Sequence, residues 1–219
     1  MSKPSDEYWR ERRDEFLAQL EKDEAALRKR LEKAYASEAA KLDRLIAVYY
    51  AKYGEDKVIE YRRLLQSISA EDRTLLMERM DEFARKYPQY ADLMPVRESI
   101  YRLNELEAIQ MQIRIQQYEI GAIEQAELER HFSEQARRAA NMAAEELGFG
   151  KDFYRYDSEV VKATVGAAWA AGEDFSARIW ANREKLASYL NDDFSKLIAR
   201  GVSYDEISRE LRARLNHSG

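Results

Sequence analysis

Residues that break helices are scarce in this chain and are absent from long stretches of it. There are 8 glycines and 3 prolines among 219 residues, no glycine precedes Gly54 and no proline follows Pro95. Proline removes a backbone donor and clashes with the preceding helical turn, and glycine in a helix favours the unfolded chain. Their scarcity therefore permits helices much longer than the usual three turns. We expect an all-α fold.

Two long segments carry apolar residues at helical spacing. They run from about Ser5 to Tyr53 and from about Val96 to Leu147, with steps mostly of three, four or seven residues. Such steps place apolar side chains on one helical face. Helices of this length extend well beyond a small globule, so each must pack against another long helix or a partner chain. We predict an elongated fold in which the two helices form an antiparallel, coiled-coil-like hairpin.

Capping signals predict where several helices begin and end. Gly54 and Gly148 are expected to end the two long helices. Ser69 and Ser203 are expected to be N-caps, because an acidic residue follows each of them three positions later. Shorter helices, the first of them from Asp56 to Gln66, should form the tip of the hairpin.

The texture of the sequence changes after residue 148. Aromatic residues and glycines crowd the stretch 149–156, which we interpret as a loop or a short extended piece. We therefore divide the chain into a long-helix region, residues 1–148, and a small C-terminal helical subdomain, residues 149–219.

Composition excludes several classes of protein. The chain has no cysteine, so it forms no disulfides and no thiolate metal site. Its N-terminus has no apolar signal-peptide core, and no stretch of about 18 apolar residues occurs, so we expect no membrane partner. The net charge of −5 disfavours a surface that coats nucleic acid, although it leaves local basic patches open.

No catalytic or metal-binding pattern is apparent. The only histidines are His131 and His217, and neither belongs to a Glu-x-x-His pair. The glycines and lysine of 148–151 lack the spacing of a phosphate-binding loop. We expect no enzyme activity, no cofactor and no metal.

Two further features could bind partners. The basic runs 28–30 and 137–138 could contact DNA, but acidic residues flank both. The densest cluster of large apolar residues is either a small core for the C-terminal helices or a surface that docks a partner, since tryptophan and tyrosine are typical anchors. Its members are Trp169, Phe175, Ile179, Trp180 and Tyr189.

Two parts of the sequence together carry a resemblance to a known family. One is the opening of the chain, at Tyr8, Trp9 and Arg12. The other is a set of C-terminal residues: Trp169, Gly172, Phe175, Ser176, Arg178, Ile179, Trp180, Asn182, Leu186, Ala187, Ile198, Gly201, Ser203, Tyr204 and Ile207. With these residues the chain resembles the minor head proteins of tailed phages, also called head-morphogenesis or minor capsid proteins, of the Mu F-like family.

The resemblance implies a structural protein of the virion, present in few copies at the portal vertex or capsid interior and in the host cytoplasm during assembly. Its partners would be the portal protein, the major capsid protein or both, and it would assist head assembly or genome delivery. Family members continue into a further C-terminal domain, which we expect to be absent here.

Two alternatives stay open. The chain could be a helical module that binds nucleic acid, or a cytosolic coiled-coil scaffold or regulator that dimerises through its first helix. The sequence does not give the oligomeric state, and a homo-oligomer is compatible with all three functions.

Overall fold

Helices dominate the fold. The structure, a computed structural model, describes residues 6–55, 57–150, 152–155, 159–166 and 175–216. About 84% of these residues are helical and about 4% are in strands, which confirms the predicted all-α class. A 3-10 helix spans Pro88–Leu93, and the α-helices are α1 (Asp6–Tyr53), α2 (Tyr61–Leu64), α3 (Ala70–Lys86), α4 (Arg97–Ile100), α5 (Glu105–Glu146), α6 (Glu159–Val165), α7 (Phe175–Ala199) and α8 (Tyr204–Asn216).

The first long helix ends where the sequence predicts, and a small hairpin follows it. Strands β1 (Gly54–Glu55) and β2 (Val58–Ile59) pair antiparallel. A Cβ atom at Gly54 would collide with the carbonyl oxygen of Tyr50, so glycine is required there. The helix predicted from Asp56 to Gln66 is wrong over Val58–Ile59, because this strand precedes α2, which begins at Tyr61. Asp56 lies outside the described residues. Val58 and Ile59 are β-branched and favour extended backbone, and Ile59 is buried.

The second long helix begins later than the sequence predicts. A continuous helix from Val96 is wrong, because α4 ends at Ile100 and α5 begins at Glu105. Between them the backbone pairs with the segment before α3: the amide of Ile68 donates to Leu103 over 3.0 Å, and that of Glu105 donates to Gln66 over 3.0 Å. This pairing satisfies backbone groups outside a helix, so the chain is free to break here.

Two of the predicted N-caps are present. The Oγ of Ser69 accepts a hydrogen bond from the amide of Asp72 over 3.1 Å, at the start of α3. The Oγ of Ser203 accepts from the amide of Glu206 over 3.4 Å, at the start of α8. Each bond satisfies one of the amides that a first helical turn leaves without a partner.

The described residues form two compact units, each built from segments far apart in sequence. Unit 1 draws on Met1–Lys33 and Glu124–Ser176, and unit 2 draws on Ala34–Ile123 and Ala177–Gly219. The boundary predicted after residue 148 lies inside unit 1. Helices α1 and α5 each contribute residues to both units. The predicted division into two domains along the sequence stays a prediction.

The apolar core of unit 2 consists of two clusters. The first joins residues of α1, α5, α7 and α8, and the second joins α3 and α4 to α5. Phe194 in the first cluster and Phe83 in the second are fully buried. Burying a side chain of this size stabilises the fold by about 1.5–3 kcal/mol.

In unit 1, polar contacts connect α1 to α5. Three residues of α1 bond to residues of α5. The later a residue lies in α1, the earlier its partner lies in α5. The pairs are Arg30 with Glu127, Asp23 with Gln135 and Arg138, and Arg12 with Glu145. No helix in the described part of the chain is long and apolar enough to cross a membrane.

Candidate functional site

Four of the five residues predicted as a partner surface lie among the described residues. Trp169 lies outside the described residues. Phe175 belongs to unit 1, where its ring packs edge-on against Phe132 at 5.2 Å between centroids. The other three members belong to unit 2.

Two of those three members are engaged in packing. Ile179 is buried. The Trp180 ring lies 4.5 Å from the ring of Tyr90 and 6.1 Å from that of Tyr118, between centroids. A Cβ atom at Gly121 would lie 3.2 Å from the indole of Trp180, so helix α5 approaches this ring closely. Trp180 therefore joins the core of unit 2, not a separate core of the C-terminal helices.

Among the four members that the structure describes, Tyr189 is the one whose large side chain is exposed at the surface. Its side chain is 46% exposed. Lys185 Nζ lies 5.7 Å and Arg214 Cζ 5.8 Å from the centre of its ring, within the range of cation–π interactions. The role of the five residues in binding a partner stays a prediction.

A different apolar surface, which the sequence did not assign to any function, lies in unit 1. We call residues 147–154, apart from residue 151, the aromatic loop. Leu147 is 74% exposed, Phe149 58% and Phe153 50%, and the two phenylalanine rings lie 4.9 Å apart. The crowding of aromatic residues in this stretch is the sequence feature that could have pointed to this surface. It does not indicate that the rings face solvent.

Hydrogen bonds hold the backbone at the beginning of the aromatic loop, although its rings are exposed. Gly148 has a φ of +81°, its amide donates to Glu145, and the amide of Phe149 donates to Ala144 over 3.0 Å. This pair of bonds is a Schellman cap, which ends α5 as the sequence predicts.

Asn141 holds the far side of the loop. Its Nδ2 donates to the carbonyl of Tyr154 over 2.9 Å, and its Oδ1 accepts from the amide of Tyr154 over 2.7 Å. The loop is therefore hydrogen-bonded at both of its ends, on either side of Phe149 and Phe153. Such bonds reduce the conformational entropy that an apolar surface would lose on binding a partner.

Acidic neighbours pair with most of the basic runs predicted as DNA contacts. Arg30 bonds to Glu127 over 2.7 Å. Arg137 and Arg138 both bond to Glu134, over 2.8 and 2.9 Å. Phosphate binding depends on clustered positive charge, which these ion pairs reduce.

His131 lies in a groove of unit 1 with a volume of about 560 Å³. Its side chain is buried, and its ring meets Phe132 edge-on. No group of three or more histidine, aspartate or glutamate side chains is arranged to hold a metal ion in the described part of the chain. The groove is lined by Asp23, Ala26, Arg30, Arg130, His131, Glu134 and Gln135.

A pair of buried carboxyl groups, Asp72 and Glu105, lies in unit 2. Asp72 accepts from Lys52 Nζ over 2.8 Å and from the Tyr53 hydroxyl over 2.6 Å. Glu105 accepts from the amide of Ser69 over 2.7 Å. Burial raises the pKa of Glu105 above its ordinary value, whereas the bonds from Lys52 and Tyr53 outweigh burial and lower the pKa of Asp72.

Comparison with known proteins gives no relative. No family model, curated protein or solved structure matches this chain. The resemblance to phage minor head proteins therefore stays a prediction, and function has to be argued from the residues and surfaces described above.

Proposed function

We propose that this chain is a structural protein of a tailed-phage head. It binds the portal protein or the capsid interior and assists head assembly or genome delivery, without catalysing a reaction. The proposal is motivated by the resemblance of the Phe175–Ser176 and Arg178–Trp180 segments to the minor head proteins. The structural observation that supports it is the exposed aromatic loop. The protein would act at the portal vertex or capsid interior, after assembly in the host cytoplasm.

The aromatic loop is the contact region in this proposal. Phe149, Phe153 and Leu147 together offer a large apolar surface, and each could contribute about 1.5–3 kcal/mol if a partner buried it fully. Aromatic side chains are among the usual centres of binding energy in protein interfaces. The surface of Tyr189 is smaller and is shared with two cations.

We also propose that α1 and α5 form an antiparallel hairpin. In unit 1 the support is the order of the pairs from Arg30 with Glu127 to Arg12 with Glu145. In unit 2 the Nε2 of Gln112 donates to the hydroxyl of Tyr49 over 3.0 Å, and Gln116, further along α5, bonds to an earlier residue of α1. Because α5 of the same chain contacts α1, a second copy of the chain is not required to cover that helix.

The alternatives receive less support from these contacts. A nucleic-acid module would need unpaired basic residues, and the arginines at 30, 137 and 138 each bond to carboxylates. A coiled-coil dimer through α1 would need an uncovered face on that helix, and α5 covers part of it in each unit.

Retention of the purified chain by immobilised portal protein, and separately by the major capsid protein encoded beside its gene, tests the proposal. We expect the wild type to be retained by one of them. The double variant Phe149→Ala/Phe153→Ala should bind at least tenfold more weakly, because about 1.4 kcal/mol of lost binding energy suffices for that change. The matched control is Leu65→Ala/Leu75→Ala, which removes two exposed leucines of unit 2 and should bind as the wild type does.

The outcomes separate the alternatives. If neither phage protein retains the wild type, the proposal is wrong. If the loop variant binds as well as the wild type, the aromatic loop is not the contact. Salt-sensitive binding to DNA without retention by either protein would favour the nucleic-acid module. A dimer mass by light scattering, again without retention, would favour the scaffold.

A further inference from the structure

The carboxyl pair Asp72 and Glu105 lies where three segments of unit 2 meet. Glu105 is the first residue of α5, and its amide donates to Gln66 over 3.0 Å. Its Oε1 accepts from the amide of Ser69, the N-cap of α3. Asp72 lies in the first turn of α3 and bonds to Tyr53 at the end of α1. The pair therefore connects the end of α1 to the beginnings of α3 and α5.

One carboxyl oxygen of Glu105 has no hydrogen-bond donor. Its Oε2 is fully buried, and no described residue donates to it. Tyr53 has a single hydroxyl proton, and the 2.6 Å distance assigns that proton to Asp72. Lys52 donates to Asp72 and to Ser69 Oγ, over 2.8 and 3.2 Å. A buried acceptor without a donor is strongly unfavourable.

Ser69 and Lys52 bring the side chains of Asp72 and Glu105 together. The amide of Ser69 donates to Glu105 over 2.7 Å, and Lys52 donates both to Ser69 Oγ over 3.2 Å and to Asp72 over 2.8 Å. Besides burial, the negative charge of Asp72 also raises the pKa of Glu105. Two carboxylates this close cannot both stay ionised at low cost, so one of them holds a proton. Asp72 accepts from Lys52 and Tyr53, and both favour its charged form. Glu105 accepts from the amide of Ser69 and also lies beside the Tyr53 hydroxyl, whose single proton bonds to Asp72. The proton therefore belongs to Glu105.

We propose that Glu105 is protonated at neutral pH and donates this proton from Oε2 to Asp72. The shared proton latches the beginning of α5 to the beginning of α3. Loss of the proton at alkaline pH places two negative charges together in a buried site. The latch then opens, and the backbone pairing of Gln66 and Ile68 with Leu103 and Glu105 loosens.

The surrounding charges decide how firmly the proton is held. A negative charge at the first position of α5 would be favoured by the helix dipole, which opposes protonation of Glu105. Burial and the charge of Asp72 act in the other direction and prevail, because they raise the pKa of Glu105. The titratable groups that face the pair are Tyr49, Lys52 and Tyr53 of α1 and Glu71 of α3.

The protonation state can be observed directly in the wild-type protein. We would label its glutamates with carbon-13 at the side-chain carboxyl and follow each resonance by NMR as the pH is raised. The Glu105 carboxyl should keep the chemical shift of a protonated acid after exposed glutamates such as Glu82 have ionised. If Glu105 ionises together with the exposed glutamates, the proposal is overturned.

Amide hydrogen exchange tests the latch. Exchange at Ser69, corrected for its intrinsic dependence on hydroxide, should lose protection at least tenfold from mildly acidic to mildly alkaline pH in the wild type. Glu105→Gln should keep its protection throughout, because the amide of glutamine donates permanently to Asp72. Glu82→Gln, an exposed residue of α3, is the matched control and should behave as the wild type does. Equal loss of protection in the wild type and Glu105→Gln, or no loss in the wild type, would show that no latch exists.

Discussion

Asn104 and Glu107 bond each other twice at the beginning of α5. The Oδ1 of Asn104 accepts from the amide of Glu107 over 2.8 Å, and the Oε2 of Glu107 accepts from the amide of Asn104 over 2.8 Å. This reciprocal exchange is a capping box with asparagine in the place of serine or threonine. It fixes the first turn of α5, which carries Glu105 of the carboxyl pair.

Asn104→Ala should lower the free energy of unfolding by about 1 kcal/mol, because an N-cap side chain satisfies an amide that alanine leaves without a partner. Urea unfolding measures the loss. Asn182→Ala, at an exposed position within α7, is the control and should cost less. In the double variant with Glu107→Ala the two losses should not add, since both remove the same box. Additive losses would mean that the two residues act independently.

The ends of helices were predictable wherever one residue type determines them. Gly54 and Gly148 end their helices, because glycine has no Cβ atom and tolerates the backbone of a helix end. Ser69 and Ser203 begin theirs, because a serine hydroxyl accepts a hydrogen bond from an amide of the first turn. The break before α5 was missed. Its signal, asparagine followed by glutamate three residues later, is weaker than serine or threonine in that place, and the apolar spacing continues across it.

The candidate sites could not be predicted because they depend on contacts between distant residues. Nothing in the sequence indicates that Asp72 and Glu105 meet, since 33 positions separate them and both residue types are abundant. The sequence places Trp180 in a C-terminal cluster that is either a small core or a docking surface. Tyr90 and Tyr118, far earlier in the chain, pack against it. The sequence shows that the stretch around Phe149 is rich in aromatic residues, but it does not indicate that the ring of Phe149 is exposed.

Asn141→Ala should release the aromatic loop. The substitution removes both hydrogen bonds to the backbone of Tyr154 and should lower the free energy of unfolding by roughly 1–2 kcal/mol. Limited digestion with chymotrypsin, which cleaves after aromatic residues, should proceed at least several-fold faster at Phe149 and Phe153. Asn182→Ala is again the control. Unchanged digestion would show that Asn141 does not restrain the loop.

Glu119 should make the stability of the protein depend on pH. Burial raises its pKa despite the cations of Arg79 and Lys41, which lie 3.6 and 3.8 Å from its Oε2. A carboxyl whose pKa is raised by folding stabilises the protein fully below its unfolded pKa. That contribution is lost as the pH rises through the folded pKa.

Glu119→Gln should therefore remove part of the loss of stability that sets in as the pH rises above the ordinary pKa of glutamate, about 4.3. The urea midpoint at several pH values measures this. Glu78→Gln, an exposed acid on α3, should follow the wild-type curve. If the curves of Glu119→Gln and the wild type run parallel, Glu119 does not contribute to the pH dependence.

Gly121 lies inside α5, where helix propensity alone would favour alanine by about 1 kcal/mol. A Cβ atom there would lie 3.2 Å from the Trp180 indole and from Arg183 Cγ. The arginine chain can shift, but the indole packs on Tyr90 and cannot easily retreat. Gly121→Ala should therefore lower the free energy of unfolding, by roughly 1 kcal/mol, as overpacked positions do.

In a Trp180→Ala background the same substitution should stabilise the protein by about 0.5–1 kcal/mol, because only helix propensity then distinguishes alanine from glycine. Urea unfolding of the four proteins gives the coupling between the two positions. Stabilisation by alanine in both backgrounds would mean that the indole yields, and that close packing is not what requires glycine at position 121.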